Sequence, residues 1–106
     1  MELPGGLIDE GDTARGSAIR ELIEETGYSC DKMKMVNWFY TWPGRTGQRN
    51  FVFLATDLLA HSSINLDELE QIKVLRLSRS DLVEELKIGG RIKSCLTVAA
   101  LHEAYL

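Results

Sequence analysis

This chain of 106 residues is poor in the residues that staple or break a small fold, with two cysteines, two prolines and 8% aromatics. Cys30 and Cys95 lie far apart and form no C-x-x-C pair, which leaves no disulfide framework or zinc site and reads as two free structural thiols. His61 and His102 have no ligand-like spacing to each other or to a cysteine, so neither is assigned to a metal. No apolar run approaches membrane-spanning length, and Met1-Glu2-Leu3-Pro4 supplies neither a basic nor an apolar leader segment. Positive charge is scarce too, because 12 Lys+Arg against 16 Asp+Glu leave a net charge of −4. Without a block of Lys/Arg to neutralise phosphates, unspecific nucleic-acid binding is disfavoured. These absences together lead to the expectation of a cytoplasmic protein with neither a membrane nor a nucleic-acid partner. A phosphate-bearing ligand would need local help.

The 44% of hydrophobic residues is ordinary for a folded chain, and the length allows a single domain over residues 1–106 with a modest core. Gly5, Gly6 and Gly11 mark an opening loop, Asp12 is an N-cap candidate, and a helix is expected from Thr13 to Thr26 with Gly27 as its C′ residue. Strands are expected at Lys32–Trp42, Asn50–Thr56 and Gln71–Leu77, the first two joined by the turn Pro43–Gly47. Between them, Asp57–Glu70 reads as a surface loop. Ser80 or Asp81 should cap a brief helix to Lys87, stopped by Gly89-Gly90, and an apolar helix should run from Ser94 to Tyr105 against a sheet or a partner.

The most informative stretch is Arg20-Glu21-Leu22-Ile23-Glu24-Glu25-Thr26-Gly27. At about 100° per residue, Glu21, Glu24 and Glu25 share one arc, while Ala18, Ile19, Leu22 and Ile23 share the opposite one. Glutamates in a last helical turn meet the negative end of the macrodipole, and Glu21 and Glu25 repel each other as a like-charged i, i+4 pair. Only Arg20, i, i+4 to Glu24, offers relief within the helix. A hard divalent cation reverses the sign of each of these terms, because carboxylates spaced i, i+3 and i+4 converge on one volume. Magnesium keeps waters and substrate phosphates in its octahedron, so such a site would also receive a diphosphate.

Gly6, Arg20, Glu21, Leu22, Glu24, Glu25, Gly27 and Tyr28 resemble the Nudix box, G-x5-E-x7-R-E-U-x-E-E-x-G-U, and the departure is Asp12 in place of glutamate. Pro43 follows Tyr28 at the interval shown by the ADP-ribose pyrophosphatase branch, although Trp42 stands where "YTWPG" would carry serine in that branch. The resemblance implies an α+β fold, an α/β/α sandwich around a mixed sheet, here shortened at its N-terminus because the chain starts almost at the box. It implies that Glu21, Glu24 and Glu25 hold Mg²⁺, with Mn²⁺ as the alternative, and that the carbonyl of Gly5 or Gly6 is a further ligand. Arg20 would orient the glutamates through charge-assisted hydrogen bonds, and Asp12 would keep a capping role.

The reaction implied is metal-dependent hydrolysis of the pyrophosphate bond of a nucleoside diphosphate linked to another moiety, such as ADP-ribose or a nucleotide sugar. A non-catalytic metal- or nucleotide-binding module and a nucleoside triphosphate pyrophosphohydrolase are the alternatives. Glu68 and Glu70, with Asp67, are candidates for the general base. Trp38, Tyr40 and Trp42 alternate, as a stacking platform for a base or as core. Arg45 and Arg49 could meet phosphate or keep a hairpin turn soluble. Strands missing before the box leave sheet edges to cover, so the expected partners are a small-molecule nucleotide and a second copy in a homodimer.

Overall fold

The computed structural model describes residues 1–60 and 72–105, which form an α+β structure in two units. In the unit Pro4–Lys73, α1 (Ala14–Thr26) is followed directly by β1 (Tyr28–Tyr40) and β2 (Arg49–Ala60). The cap of α1 is Thr13 and not Asp12, because the extended backbone of Thr13 lets its hydroxyl accept from the Gly16 amide at 2.9 Å. Asp12 stands one residue outside, accepting from the Thr13 amide at 2.8 Å and from the Ser17 hydroxyl at 2.9 Å. At the other end Gly27 takes φ 77°, which a Cβ would oppose, and its amide closes on the Ile23 carbonyl at 2.9 Å. The chain leaves this left-handed residue straight into β1, so the strand starts ahead of the expected Lys32.

β1 and β2 pair antiparallel from Tyr28↔Ala60 to Tyr40↔Arg49, with one register shift between Met35 and Asn37 that leaves Val36 as the extra residue of a bulge. Trp42 falls outside β1 because its carbonyl accepts the amides of Arg45 and Thr46, each at 3.0 Å, and so closes the turn. Asp57–Ala60 belong to β2, not to a loop, since Leu58, Leu59 and Ala60 face Cys30, Ser29 and Tyr28 across the ladder. The rest of the expected loop, with His61, lies outside the described residues. α1 packs on both strands, and Val52 is the buried hydrophobic residue among the described residues of this unit.

The other unit joins Met1–Leu3 to Val74–Leu106 and holds α2 (Arg79–Leu86) and α3 (Cys95–Tyr105). The cap of α2 is Ser78 rather than Ser80 or Asp81. Its hydroxyl accepts from the Asp81 amide at 3.1 Å and donates to the Asp81 carboxylate at 2.7 Å. Past the end of α2, Gly90 lies so close to the Glu85 carbonyl that an added Cβ would stand 2.0 Å from its oxygen. That close approach lets the Ile92 amide reach the same carbonyl at 3.1 Å and sends Ile92 inward, where it is buried. Thr97 and Leu101 of α3 are buried in the same unit, while Leu96, Val98 and Tyr105 remain exposed. The apolar helix is therefore buried on one stripe alone.

Residues 72–77 form no strand, so among the described residues the sheet is two-stranded and antiparallel rather than mixed. Ile72, Val74, Leu75 and Leu77 have a strand's composition but stay exposed. A strand exists by its ladder, and apolar composition alone does not make one without a partner strand.

Candidate active site

The loop before α1 folds back on itself through a turn at Asp9-Glu10-Gly11-Asp12, closed by the Asp12 amide on the Asp9 carbonyl at 3.0 Å. Gly11 has φ 80° at the third turn position, the requirement of a type II turn. This turn sets Asp9 beside Asp12 and aims both at Arg20 on the second turn of α1. Nη2 of Arg20 is 3.2 Å from Asp9 Oδ2 and 3.7 Å from Asp12 Oδ2, and Nη1 is 3.6 Å from Glu21 Oε1 and 3.9 Å from Glu24 Oε2. Arg20 thus links the loop acids to the helix acids. The links are ion pairs, not the charge-assisted hydrogen bonds expected, and Nη2 is shut off from solvent without a hydrogen-bond partner.

Glu21 and Glu25 stand one helical turn apart on the same face of α1, Glu21 beside Gly6 and Glu25 on the Gly5 amide. Desolvation first, then the like charges of Glu25 and Glu24, push the Glu21 carboxyl above its ordinary 4.5, with Arg20 opposing. The Gly5 amide donates to Glu25 Oε2 at 3.0 Å, and Gly6 lies against Glu21 so closely that an added Cβ would stand 2.2 Å from Oε1. A side chain at position 6 would therefore displace the Glu21 carboxylate from its present place. Glu24 is half exposed and, like Glu21, faces Nη1 of Arg20. The helix brings two glutamates together, and among the described residues no three Asp, Glu, His or Cys side chains already form a cation-holding group.

This donor set suits a hard divalent cation. Two crowded carboxylates, one with its charge disfavoured, lie against glycine backbone with no side chain between, and magnesium takes one or two carboxylates and fills its remaining positions with water and phosphate oxygens. Glu68 and Glu70, together with Asp67, lie outside the described residues. Asp9 escaped the sequence reading, since an exposed acid in a loop carries no periodic signal. The D-x-G-D turn was its one trace.

Trp38, Tyr40 and Trp42 are exposed, which rules out core packing for them. Trp38 and Tyr40 meet edge to face at 5.4 Å, Arg49 lies over Trp38 and Phe51 at 5.7 and 5.6 Å, and Arg45 lies over Trp42 at 5.2 Å. Both arginines are thereby tied to ring faces.

The NUDIX domain family matches residues 1–93. The chain is 35% identical over 85 residues to the ADP-ribose pyrophosphatase of Bacillus subtilis (strain 168), covering 79% of this chain and 46% of that protein. It is 32% identical over 103 residues to the methanol dehydrogenase activator of Bacillus methanolicus, covering 96% of this chain and 55% of that protein. Among solved structures, that of an ADP compounds hydrolase aligns with TM-score 0.73 and 26% identity over 93% of this chain and 52% of its own. The chain spans about half the length of the curated relatives it matches. A glycine-backed pair of helix glutamates braced by Arg20, within a match over residues 1–93, places this chain in the Nudix family, near its ADP-ribose pyrophosphatase branch.

Proposed function

We propose that the chain carries the metal-dependent pyrophosphohydrolase site of an enzyme acting on a nucleoside diphosphate linked to another moiety, such as ADP-ribose. The observation that supports it most is the Glu21–Glu25 pair held over the backbone of Gly5 and Gly6 at the end of α1. In this reading Glu21 and Glu25 hold Mg²⁺ or Mn²⁺, with Glu24 joining them and the carbonyl of Gly5 or Gly6 as a further ligand. When bound, the cation neutralises phosphate charge and lowers the pKa of water. The residues of the chain do the rest. Gly5 fixes Glu25 by its amide, Gly6 leaves room for Glu21, and Arg20 keeps Glu21 and Glu24 on one side of the helix. Glu68 or Glu70, with Asp67 behind them, remain the candidates to take a proton from the attacking water.

A panel of ADP-ribose, NADH, a nucleotide sugar and a nucleoside triphosphate, assayed with Mg²⁺ or EDTA, tests the reading. Turnover on the diphosphate compounds is expected with Mg²⁺ and not with EDTA, and Glu25→Gln should reduce it by at least about 100-fold, as for misplaced reacting groups. Absence of turnover on every compound, with Mg²⁺ still raising thermal stability, would favour the non-catalytic binding module. That no three carboxylates form a cation-holding group among the described residues is the observation on that side.

The same reading includes a homodimer. Its support is the sheet surface, where Met35, Trp38, Tyr40, Leu58 and Leu59 are exposed on a hairpin of two strands, an arrangement that is marginal alone. Sedimentation equilibrium at micromolar concentration should give twice the chain mass, and a folded monomer there removes the dimer.

A further inference from the structure

The structure assigns to Asp9 a positioning role: it supplies the ion pair to Arg20 that position 12, with aspartate in place of the box's glutamate, makes only at a distance. Both oxygens of Asp12 are already engaged, Oδ1 by the Thr13 amide at 2.8 Å and Oδ2 by the Ser17 hydroxyl at 2.9 Å. Ser17 is buried, and an added Cβ at Gly16 would stand 2.6 Å from Asp12 Oδ1, so the carboxylate is hemmed in over the start of α1. From that place its nearer oxygen is 3.7 Å from Nη2 of Arg20. Asp9 reaches the same nitrogen at 3.2 Å because the Gly11 turn folds the loop back by four residues. The unsatisfied Nη2 marks the remaining gap, which a carboxylate one methylene longer at position 12 is long enough to close.

Arg20 transmits this arrangement to the site through Nη1, which faces Glu21 and Glu24. Without Asp9 the guanidinium keeps only the longer pair to Asp12 on the loop side, so it is held less firmly against the glutamates whose mutual repulsion it offsets. The inference rests on the reading of Glu21 and Glu25 as metal-holding residues for its effect on the site, and on the ion-pair geometry alone for the coupling between positions 9 and 12.

Mn²⁺ binding followed by electron paramagnetic resonance tests it on the whole chain with Asp9→Asn, Asp9→Glu, Asp12→Glu and the double variant Asp9→Asn/Asp12→Glu. Asp9→Asn is expected to weaken Mn²⁺ binding about threefold, the worth of a partly exposed ion pair, and Asp9→Glu to bind as the unmodified chain does. In the Asp12→Glu background, Asp9→Asn should be silent, because the longer side chain takes over the pair. Thermal unfolding of the metal-free proteins reads the same coupling without a cation. If no protein binds Mn²⁺ yet Asp9→Asn lowers the melting temperature less in the Asp12→Glu background, the metal reading fails and the role of Asp9 stands. Equal losses from Asp9→Asn in both backgrounds by either measurement, or none in either, would overturn it.

Discussion

Glu21→Gln is expected to lower metal-dependent turnover by at least about 100-fold while leaving the metal-free protein as stable as before or more so. The two effects point in opposite directions for one reason. The folded chain holds a desolvated carboxylate beside Glu25 and Glu24, and its raised proton affinity shows that the charge is unfavourable there. Between the ordinary 4.5 and the raised folded value the native protein binds more protons at this group than the unfolded chain, so its contribution to stability falls as pH rises through that window. The amide removes that slope together with the ligand. A divalent cation should reverse the sign for the unmodified chain, raising its melting temperature at pH 7, and should do little for the variant. Differential scanning calorimetry in EDTA and in Mg²⁺ reads both. A variant less stable than the parent in EDTA, or one that keeps its turnover, would show that Glu21 is a structural acid.

Acid should unfasten the other unit through Glu85. Its carboxylate accepts from the Arg91 amide at 2.8 Å and from the Arg91 guanidinium, with Nε at 2.9 Å, and it closes the segment that carries Gly90 and Ile92. These hydrogen bonds, the guanidinium first and the backbone amide second, hold the Glu85 carboxyl down to about 2 from its ordinary 4.5. The unfolded chain therefore takes up this proton before the folded one does. Its stabilising contribution is complete above pH 4.5 and is lost as pH falls from there to about 2. Urea unfolding at pH 6 and pH 3 is expected to show a marked loss for the unmodified chain and a shallower one for Glu85→Gln, which should be the less stable protein at pH 6. Parallel pH profiles for the two proteins would show that the clasp contributes nothing.

The box was legible in the primary structure because its signal is local. Gly27 past the last periodic residue, and glutamates spaced for one helix face, need only the geometry of an isolated helix to be read. The caps are Thr13 and Ser78 rather than the expected Asp12 and Ser80 or Asp81 because Asp-Thr and Ser-Arg-Ser-Asp each offer more than one side-chain oxygen, and the backbone that becomes extended decides which is used. The segment at 72–77 shows a different limit. Its apolar residues satisfy the pattern of a strand, but a strand also needs a neighbour, and no pattern within the segment reports one.

By itself, then, the order of residues determined the acidic helix, its glycine stop, the hairpin after it and the family, all features whose signals lie in short stretches of sequence. The tertiary structure alone decided which acids meet. It laid Glu21 and Glu25 over Gly6 and Gly5, turned Glu21 and Glu24 to one Arg20 nitrogen, and brought Asp9 to Arg20 from eleven residues away. The physical reason is that ion pairing depends on distance through space, and a turn at Gly11 or a missing Cβ at Gly6 changes that distance without altering any helical or strand period.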